Sequence, residues 1–162
     1  MSNPVRRSIL LLLLLVVVLA GCGSKPKGPG TVLGKGAVVI YQSNGWAVVV
    51  NGSKAVAAHL VNGTWTADRS DKVKVALLGP ARGPGPTPQV AAQLTSKTPL
   101  VESSLWIDGQ VIQVQGGGTP TRGTIYGVPT TPVFPGKHLE VAYARTATSA
   151  TAVARVFTVT LK

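Results

Sequence analysis

The sequence predicts an all-β protein built from short antiparallel strands. Of its 162 residues, 19 are glycine and 12 are proline, and valine, threonine and alanine are also frequent. Glycine and proline favour turns, whereas β-branched residues favour strands. Asn-Gly and Asp-Gly pairs recur between apolar runs, which strongly indicates two-residue hairpin turns. Beyond the first 21 residues no window has sustained 3.6-residue apolar periodicity, so we expect no further helix.

Residues 1–21 have the three parts of a secretory signal peptide. Arg6 and Arg7 supply positive charge, Ile9 to Ala20 is unbroken apolar sequence, and small residues follow it. A membrane-spanning helix needs roughly 20 apolar residues, so this run is too short to span. We therefore expect a cleavable signal helix. Arg6-Arg7 also fits the loose core of a twin-arginine signal, but the very apolar run favours the general secretory route.

The stretch Leu19-Ala20-Gly21-Cys22 resembles the lipobox of bacterial lipoproteins. The resemblance implies cleavage between Gly21 and Cys22 and a diacylglyceryl group, with palmitate-type acyl chains, on the Cys22 sulfur. Cys22 is the only cysteine, so it cannot form an internal disulfide, and lipidation accounts for the odd thiol. The alternative is an ordinary secretory signal with an incidental cysteine. A lipoprotein would be held at the extracytoplasmic face of a membrane, in the periplasm or at the cell surface.

The charge balance is strongly basic. Cleavage after residue 21 would remove two of the 16 basic residues and none of the five acidic ones, leaving a formal charge of +9. For an exported protein this favours anionic envelope partners, such as lipid headgroups or acidic wall polymers, over nucleic acid. The alternative is that scattered lysines and arginines only keep the domain soluble.

Residues 22–36 are predicted to form a flexible tether rich in glycine, proline and lysine. Residues 37–70 are predicted to form a meander of four short strands, with Asn44-Gly45, Asn51-Gly52 and Asn62-Gly63 as the turns. The expected strands are Ala37 to Tyr41, Trp46 to Val50, Lys54 to Leu60 and Thr64 to Thr66. The meander either adds strands to one sheet of the following domain or forms a small module before it.

Residues 71–162 are predicted to form the main domain, after a polar break at Ala67 to Asp71. Asp108-Gly109 marks a tight hairpin, and Gly116 to Gly136 is expected to be a long Gly/Thr/Pro segment with one short strand near Thr124 to Tyr126. Thr146 to Ala152 is expected to be a loop. The other strands are expected at Lys72 to Leu78, Gln89 to Leu94, Val101 to Ile107, Gln110 to Val114, Lys137 to Arg145 and Val153 to Leu161.

From about residue 72 onward the pattern resembles a bacterial immunoglobulin-like domain. The matching segments are Leu78-Gly79-Pro80, Ser104 to Gln110, Pro135 to Val141 and Val156 to Val159. The resemblance implies an immunoglobulin-like antiparallel β-sandwich, without the paired cysteines of antibody domains. Because such domains share no single activity, the resemblance indicates a fold and leaves the ligand open.

The residues that could carry chemistry are few. His59 and His138 are the only histidines, and no nucleophile elbow, zinc-binding motif or cysteine pair is present. His138 and Glu140 share a strand face and could form a structural pair. Clustered carboxylates of the kind that calcium needs are lacking. We therefore expect neither enzyme activity nor a metal or other cofactor.

A binding or structural role is the remaining expectation. The candidate surface combines Trp106 with Arg122 and with Gly116, Gly117 and Gly118, because binding residues are often carried on loops. Trp106 should lie on the face opposite Leu105 and Ile107, where packing against the core or the meander is the alternative. The expected function is a lipid-anchored, non-enzymatic envelope module. Its alternatives are a carbohydrate- or wall-polymer-binding module, using Trp106 or Trp65, and an accessory subunit that docks a protein partner.

Overall fold

The computed structural model describes residues 27–80 and 85–160. The predicted signal peptide (residues 1–21, including Gly21) and Cys22 lie outside the described residues. Within those ranges, no helix is long and apolar enough to cross a membrane. The twelve strands of the described ranges are β1 (Val38–Ser43), β2 (Trp46–Asn51), β3 (Lys54–Val61), β4 (Thr64–Ala67), β5 (Val73–Leu77), β6 (Val90–Ser96), β7 (Glu102–Ile107), β8 (Gln110–Ile112), β9 (Gln115–Thr119), β10 (Arg122–Gly127), β11 (Gly136–Arg145) and β12 (Ala150–Val159).

These strands form three four-stranded sheets, and neighbouring strands run antiparallel. Sheet A has the order β1-β2-β3-β4 and is the predicted meander. Sheet B has the order β5-β6-β10-β9, and sheet C has the order β12-β11-β7-β8. The prediction of an all-β antiparallel sandwich preceded by an Asn-Gly meander is therefore confirmed.

Sheet C is the middle layer of the molecule. Leu105 and Ile107 on β7 join the apolar cluster shared with sheet B, whereas Trp106 between them joins the cluster shared with sheet A. This division follows from the alternation of side chains across a strand. Sheets B and C thus form the sandwich, and the meander covers the other face of sheet C as a separate sheet.

Three hairpin turns have the backbone geometry that their sequences predict, whereas Asn51 of the predicted Asn51-Gly52 turn belongs to β2 and only Gly52 has a positive φ, at 58°. Asn44-Gly45 and Asn62-Gly63 both have positive φ at each residue, at 49° and 75° and at 49° and 77°. Asp108-Gly109 repeats this pattern with φ values of 51° and 80°. Two positive φ angles are the mark of a type I′ turn, which matches the twist of the flanking strands. These turns bring β1–β2, β3–β4 and β7–β8 into register.

The second half of the predicted tether packs on sheet A. Pro29–Val32 forms a 3₁₀ turn in which Pro29 is buried, and Val32 packs on the apolar cluster of Ala47 and Val49. The side-chain amide of Asn51 donates hydrogen bonds to the carbonyl oxygens of residues 33 and 35, at 3.2 Å and 3.1 Å. The outer face of β2 is apolar and needs a cover, which explains why this stretch is ordered against it.

The polar break after the meander is fastened to the sandwich. One carboxylate oxygen of Asp68 accepts a hydrogen bond from the Ser70 amide at 2.8 Å. The other accepts from the Ala150 amide, at the start of β12, at 2.7 Å. Because both oxygens are used, Asp68 fixes the direction in which the chain leaves sheet A. The break is a turn between packed layers.

Two segments contain more strand than the sequence predicted. Gln115–Thr119 and Arg122–Gly127 form the β9–β10 hairpin, where a long Gly/Thr/Pro segment with one short strand near Thr124 to Tyr126 was predicted; that short strand is confirmed as part of β10. The last strand begins at Ala150, so the predicted loop Thr146 to Ala152 is too long by three residues. Glycine-rich sequence lowers strand propensity, but pairing with β6 and the burial of Ile125 outweigh it.

Candidate functional site

Trp106 does not lie on a binding surface, and this part of the prediction is wrong. Its side chain is 3% exposed, and its ring centroid lies 5.9 Å from that of Tyr41 and 6.3 Å from that of Tyr143. It is the central aromatic residue between sheets A and C. The apolar face of the meander requires such a partner, so packing against the meander was the correct alternative. Trp106 and Gly116–Gly118 therefore do not form one patch.

The other two tryptophans also pack against the protein. Trp46 is 9% exposed, and its ring centroid lies 5.1 Å from that of His59. Trp65 is half-buried and packs on the apolar cluster on the outer side of sheet A. All three tryptophans thus pack on or within the meander, and none of them provides an exposed aromatic surface.

The structure explains why Gly116 and Gly118 are glycines, which the sequence alone did not. A Cβ on Gly118 would lie 2.2 Å from the carbonyl oxygen of Arg122, and the φ of Gly118, 144°, is one that residues with a side chain rarely adopt. A Cβ on Gly116 would lie 2.9 Å from the Thr124 oxygen. Both glycines therefore allow the close approach of β9 and β10. Gly117 differs, because its Cβ would point into open space.

Arg122 lies on the outer face of sheet B, as part of a regular array. In register it pairs with Thr95 on one side and Thr119 on the other, and Thr95 also pairs with Lys74. Two residues further along β10, Thr124 pairs with Gln93 and Gly117. The next outward residue is Tyr126, which pairs with Ala91 and Gln115. These three cross-strand rows define what we call the sheet B face, and they contain no acidic side chain.

Tyr126 is the exposed aromatic residue of the sheet B face, and the sequence prediction missed it. Its side chain is 40% exposed, while Ile125 beside it points inward. Tyr126 lines a cavity of about 330 Å³ whose other walls include Gln89, Gln113 and Gln115. The alternation of the predicted strand Thr124 to Tyr126 was the signal that could have identified it. Together these residues offer an aromatic ring surrounded by amide donors and acceptors.

His138 is engaged with Asp108 rather than with Glu140. Its Nδ1 lies 2.6 Å from a carboxylate oxygen of Asp108, and its Nε2 lies 2.6 Å from the Phe134 carbonyl oxygen. The Leu139 amide donates to the other Asp108 oxygen at 2.8 Å. Burial lowers the pKa of His138, but Asp108 and the Phe134 carbonyl outweigh it and raise the pKa above 6.5. The group stabilises the β7–β8 turn against β11.

Glu140 is fully buried between sheets B and C. Its carboxylate accepts a hydrogen bond from Arg155 Nη2 at 2.7 Å, so the suggested pairing with His138 is not formed. Burial raises the pKa of Glu140 to about 7, although the positive charge of Arg155 and the Ala91 amide act in the opposite direction. Buried carboxylates usually require such a partner. We assign this pair to the interior structure.

No group of three potential metal-ligating side chains occurs within residues 27–80 and 85–160. The sheet B face can hold a ligand non-covalently, through the Tyr126 ring, the amides of the glutamines beside it and the positive charges of Lys74 and Arg122.

The chain matches no protein-family model, and no curated protein shows significant sequence similarity to it.

Proposed function

We propose that this protein is a lipid-anchored binding module of the bacterial cell envelope, without enzymatic activity, that works at the extracytoplasmic face of a membrane. The anchor is Cys22 of the lipobox-like stretch. A diacylglyceryl cysteine has two acyl chains, and each buried methylene contributes about 0.8 kcal/mol, so two chains give stable attachment. The immunoglobulin-like character of residues 71–162 is part of the same proposal.

The distance between the anchor and the folded unit is short. Among the described residues, packing on sheet A begins at Pro29, and seven residues, from Cys22 to Gly28, separate it from the residue before the proposed lipidation site. A fully extended chain spans about 3.3–3.6 Å per residue, so this tether reaches roughly 25 Å at most. The module would therefore work close to the membrane surface.

The observation that carries the binding role is the cavity beside Tyr126 on the sheet B face. Sheet C is covered on both sides, and the inner face of sheet B contributes to the sandwich core. The outer face of sheet B is uncovered by the residues that the structure describes, and it presents an exposed aromatic ring beside three glutamines. An aromatic ring with convergent polar groups is the usual composition of a binding site.

The charge distribution supports an anionic environment. In the described ranges, Glu102, Asp108 and Glu140 each pair with a basic side chain, and Asp68 accepts two backbone hydrogen bonds. These four acidic side chains thus have partners within the protein, while the basic side chains of Lys74 and Arg122 are exposed. A surface with this excess of positive charge attracts anionic partners.

A second candidate function is the docking of a protein partner by strand addition. β9 is an edge strand of sheet B, and all five of its residues are exposed. An open edge can pair with an extended segment of another chain through backbone hydrogen bonds. Such a partner would not depend on the Tyr126 side chain, because strand addition uses the backbone of β9.

The experiment that tests the anchor is membrane fractionation of Cys22→Ala in a bacterial host, with Ser24→Ala as the matched control. The membranes are washed with high salt, because exposed cations could hold the protein to anionic lipid. We expect Cys22→Ala to move to the soluble fraction and Ser24→Ala to stay with the membrane. Salt-resistant membrane association of Cys22→Ala would contradict the proposal.

A further inference from the structure

We propose that the sheet B face binds an anionic glycan. One sugar ring would stack on Tyr126, its polar groups would bond to the glutamine amides, and an acidic group further along the glycan would lie at Lys74 and Arg122. This inference deepens the proposed function and rests on it for the compartment in which such glycans occur.

The position of Tyr126 suits a ring that stacks. Its cross-strand neighbours are Ala91 and Gln115, and the small Ala91 side chain leaves one side of the phenol open. A second cavity, of about 480 Å³, lies along Tyr126 and Ala91 together with Leu78 and Pro88. Tyr126 thus borders two hollows on the same face. The apolar C–H face of a pyranose can pack on such a ring while the sugar hydroxyls remain available for hydrogen bonds.

The three glutamines supply the hydrogen-bonding groups that a sugar needs. Gln89, Gln113 and Gln115 all line the 330 Å³ cavity with Tyr126, and all three are exposed. Each primary amide offers two N–H donors and a carbonyl acceptor. Hydroxyl and N-acetyl groups both donate and accept, so amides match them better than charged side chains do. This composition favours a glycan over an apolar ligand.

The cations extend the site in one direction. Arg122 and Tyr126 lie on the same face of β10, four residues apart, which corresponds to about 13 Å at ~3.3 Å per residue. Lys74 and Arg122 both flank Thr95 in register. Neither forms an ion pair within the described ranges. A carboxylate or phosphate on a neighbouring sugar would therefore meet two free positive charges.

The middle row of the sheet B face lies between these two ends. Thr124 pairs with Gly117 on one side and with Gln93 on the other, and a Cβ on Gly117 would meet no atom within 4 Å. Along β9 and β10 the middle row therefore presents little side-chain bulk between Tyr126 and Arg122. A linear polymer fits this arrangement if its acidic group lies a few sugar rings away from the ring that stacks on Tyr126. A compact ligand would not reach both Tyr126 and the two cations.

The test measures binding of two hexasaccharides to the detergent-solubilised full chain by calorimetry. Hyaluronan hexasaccharide carries carboxylates and N-acetylglucosamine, and chitohexaose is its neutral counterpart. We expect tighter binding of the hyaluronan fragment, with a preference that shrinks as salt increases. Tyr126→Ala should weaken both ligands by about tenfold or more, equivalent to about 1.4 kcal/mol. Phe134→Ala, which removes an aromatic residue that is 84% exposed and outside the cavity lining, should leave both affinities unchanged.

Two further variants separate the parts of the site. Lys74→Gln with Arg122→Gln should abolish the preference for the anionic fragment and leave chitohexaose affinity unchanged. Gly117→Phe should block both ligands without lowering the unfolding temperature, because a Cβ at this position meets no atom within 4 Å. The proposal is overturned if the wild-type chain binds neither fragment at millimolar concentration or if folded Tyr126→Ala binds as the wild type does. It is also overturned if phosphatidylglycerol vesicles bind through Tyr126 while the glycans do not. Membrane release of Cys22→Ala does not depend on any of these results.

Discussion

The hydroxyl of Tyr41 donates a hydrogen bond to the carboxylate of Glu102, which lies 61 residues later in the chain. Tyr41 belongs to β1 of sheet A and Glu102 to β7 of sheet C, so this bond fastens the meander to the sandwich. The same carboxylate accepts a hydrogen bond from Arg145 Nε at 2.5 Å. Burial, followed by the bond to Glu102, raises the pKa of Tyr41 above 10.0. The meander is thus attached by polar contacts as well as by Trp106.

We predict that Tyr41→Phe lowers the free energy of unfolding by about 1–2 kcal/mol, because a hydrogen bond to a charged acceptor is lost. Tyr143→Phe is the matched control, since the buried Tyr143 hydroxyl has no hydrogen-bond partner among the described residues. Removing that hydroxyl should leave stability unchanged or raise it slightly. Urea unfolding measures both variants. Equal losses in the two would contradict the fastening role of Tyr41.

Trp106→Ala should be among the most destabilising single substitutions, with a loss of about 3–5 kcal/mol. The substitution removes the aromatic residue that contacts both Tyr41 and Tyr143, and the rigid sheets on either side cannot close the space. Because sheets A and B share sheet C, wild-type unfolding should follow one transition by circular dichroism and by fluorescence. A loss below about 1 kcal/mol would show that Trp106 is not packed between the sheets.

Neighbouring glycines on β9 should respond differently to alanine. Gly118→Ala places a Cβ against the Arg122 carbonyl oxygen at a φ of 144°, and we expect a loss of about 1–3 kcal/mol from strain and overpacking. Gly117→Ala meets open space and should be neutral or slightly stabilising. Thermal unfolding of the two variants decides this. Similar unfolding temperatures would contradict the close approach of β9 and β10.

Stability should fall as the pH rises from about 4.5 to about 7. Glu140 has a pKa near 7 in the folded protein and an ordinary value of 4.5. Between these values the folded state holds a proton that the unfolded chain has released, so raising the pH favours unfolding. The contribution of this group is on the order of 3 kcal/mol at most. Chemical unfolding measured from pH 4.5 to pH 8 gives the slope.

His138 acts in the same direction at higher pH. Its folded pKa is raised above 6.5, so its contribution to stability is present below 6.5 and is lost as the pH rises through the folded value. Glu140→Gln should flatten the pH dependence below 7 and leave the His138 part intact. A profile for Glu140→Gln with the wild-type slope in that range would show that Glu140 does not titrate there.

The hairpins were predictable because their chemistry is local. Asn44-Gly45, Asn62-Gly63 and Asp108-Gly109 adopt positive φ angles without help from the rest of the chain. The position of the meander was not predictable, because Tyr41–Glu102 and the packing of Trp106 join residues far apart in sequence. Alternation of side chains placed Trp106 on the face of β7 opposite Leu105. Only the packing of sheet A on that face shows that it is buried.

The site was only partly predictable, because it too depends on contacts between residues far apart in the sequence. Arg122 was identified by its place in a polar segment, and it does lie on an exposed face. Tyr126 was missed because its exposure depends on the pairing of β10 with β6 and β9, although the alternation of the predicted strand Thr124 to Tyr126 already placed it on the face opposite Ile125. The run Gly116–Gly118 suggested a loop, whereas two of its three glycines serve the close approach of paired strands.

The most direct measurement of the central claim is the intact mass of the protein purified from bacterial membranes, with fragmentation of its N-terminus. We predict a chain that begins at Cys22, lacks residues 1–21 and carries a diacylglyceryl group on the Cys22 sulfur. A membrane-derived chain that retains Leu19-Ala20-Gly21 before a free Cys22 thiol would contradict the lipid anchor.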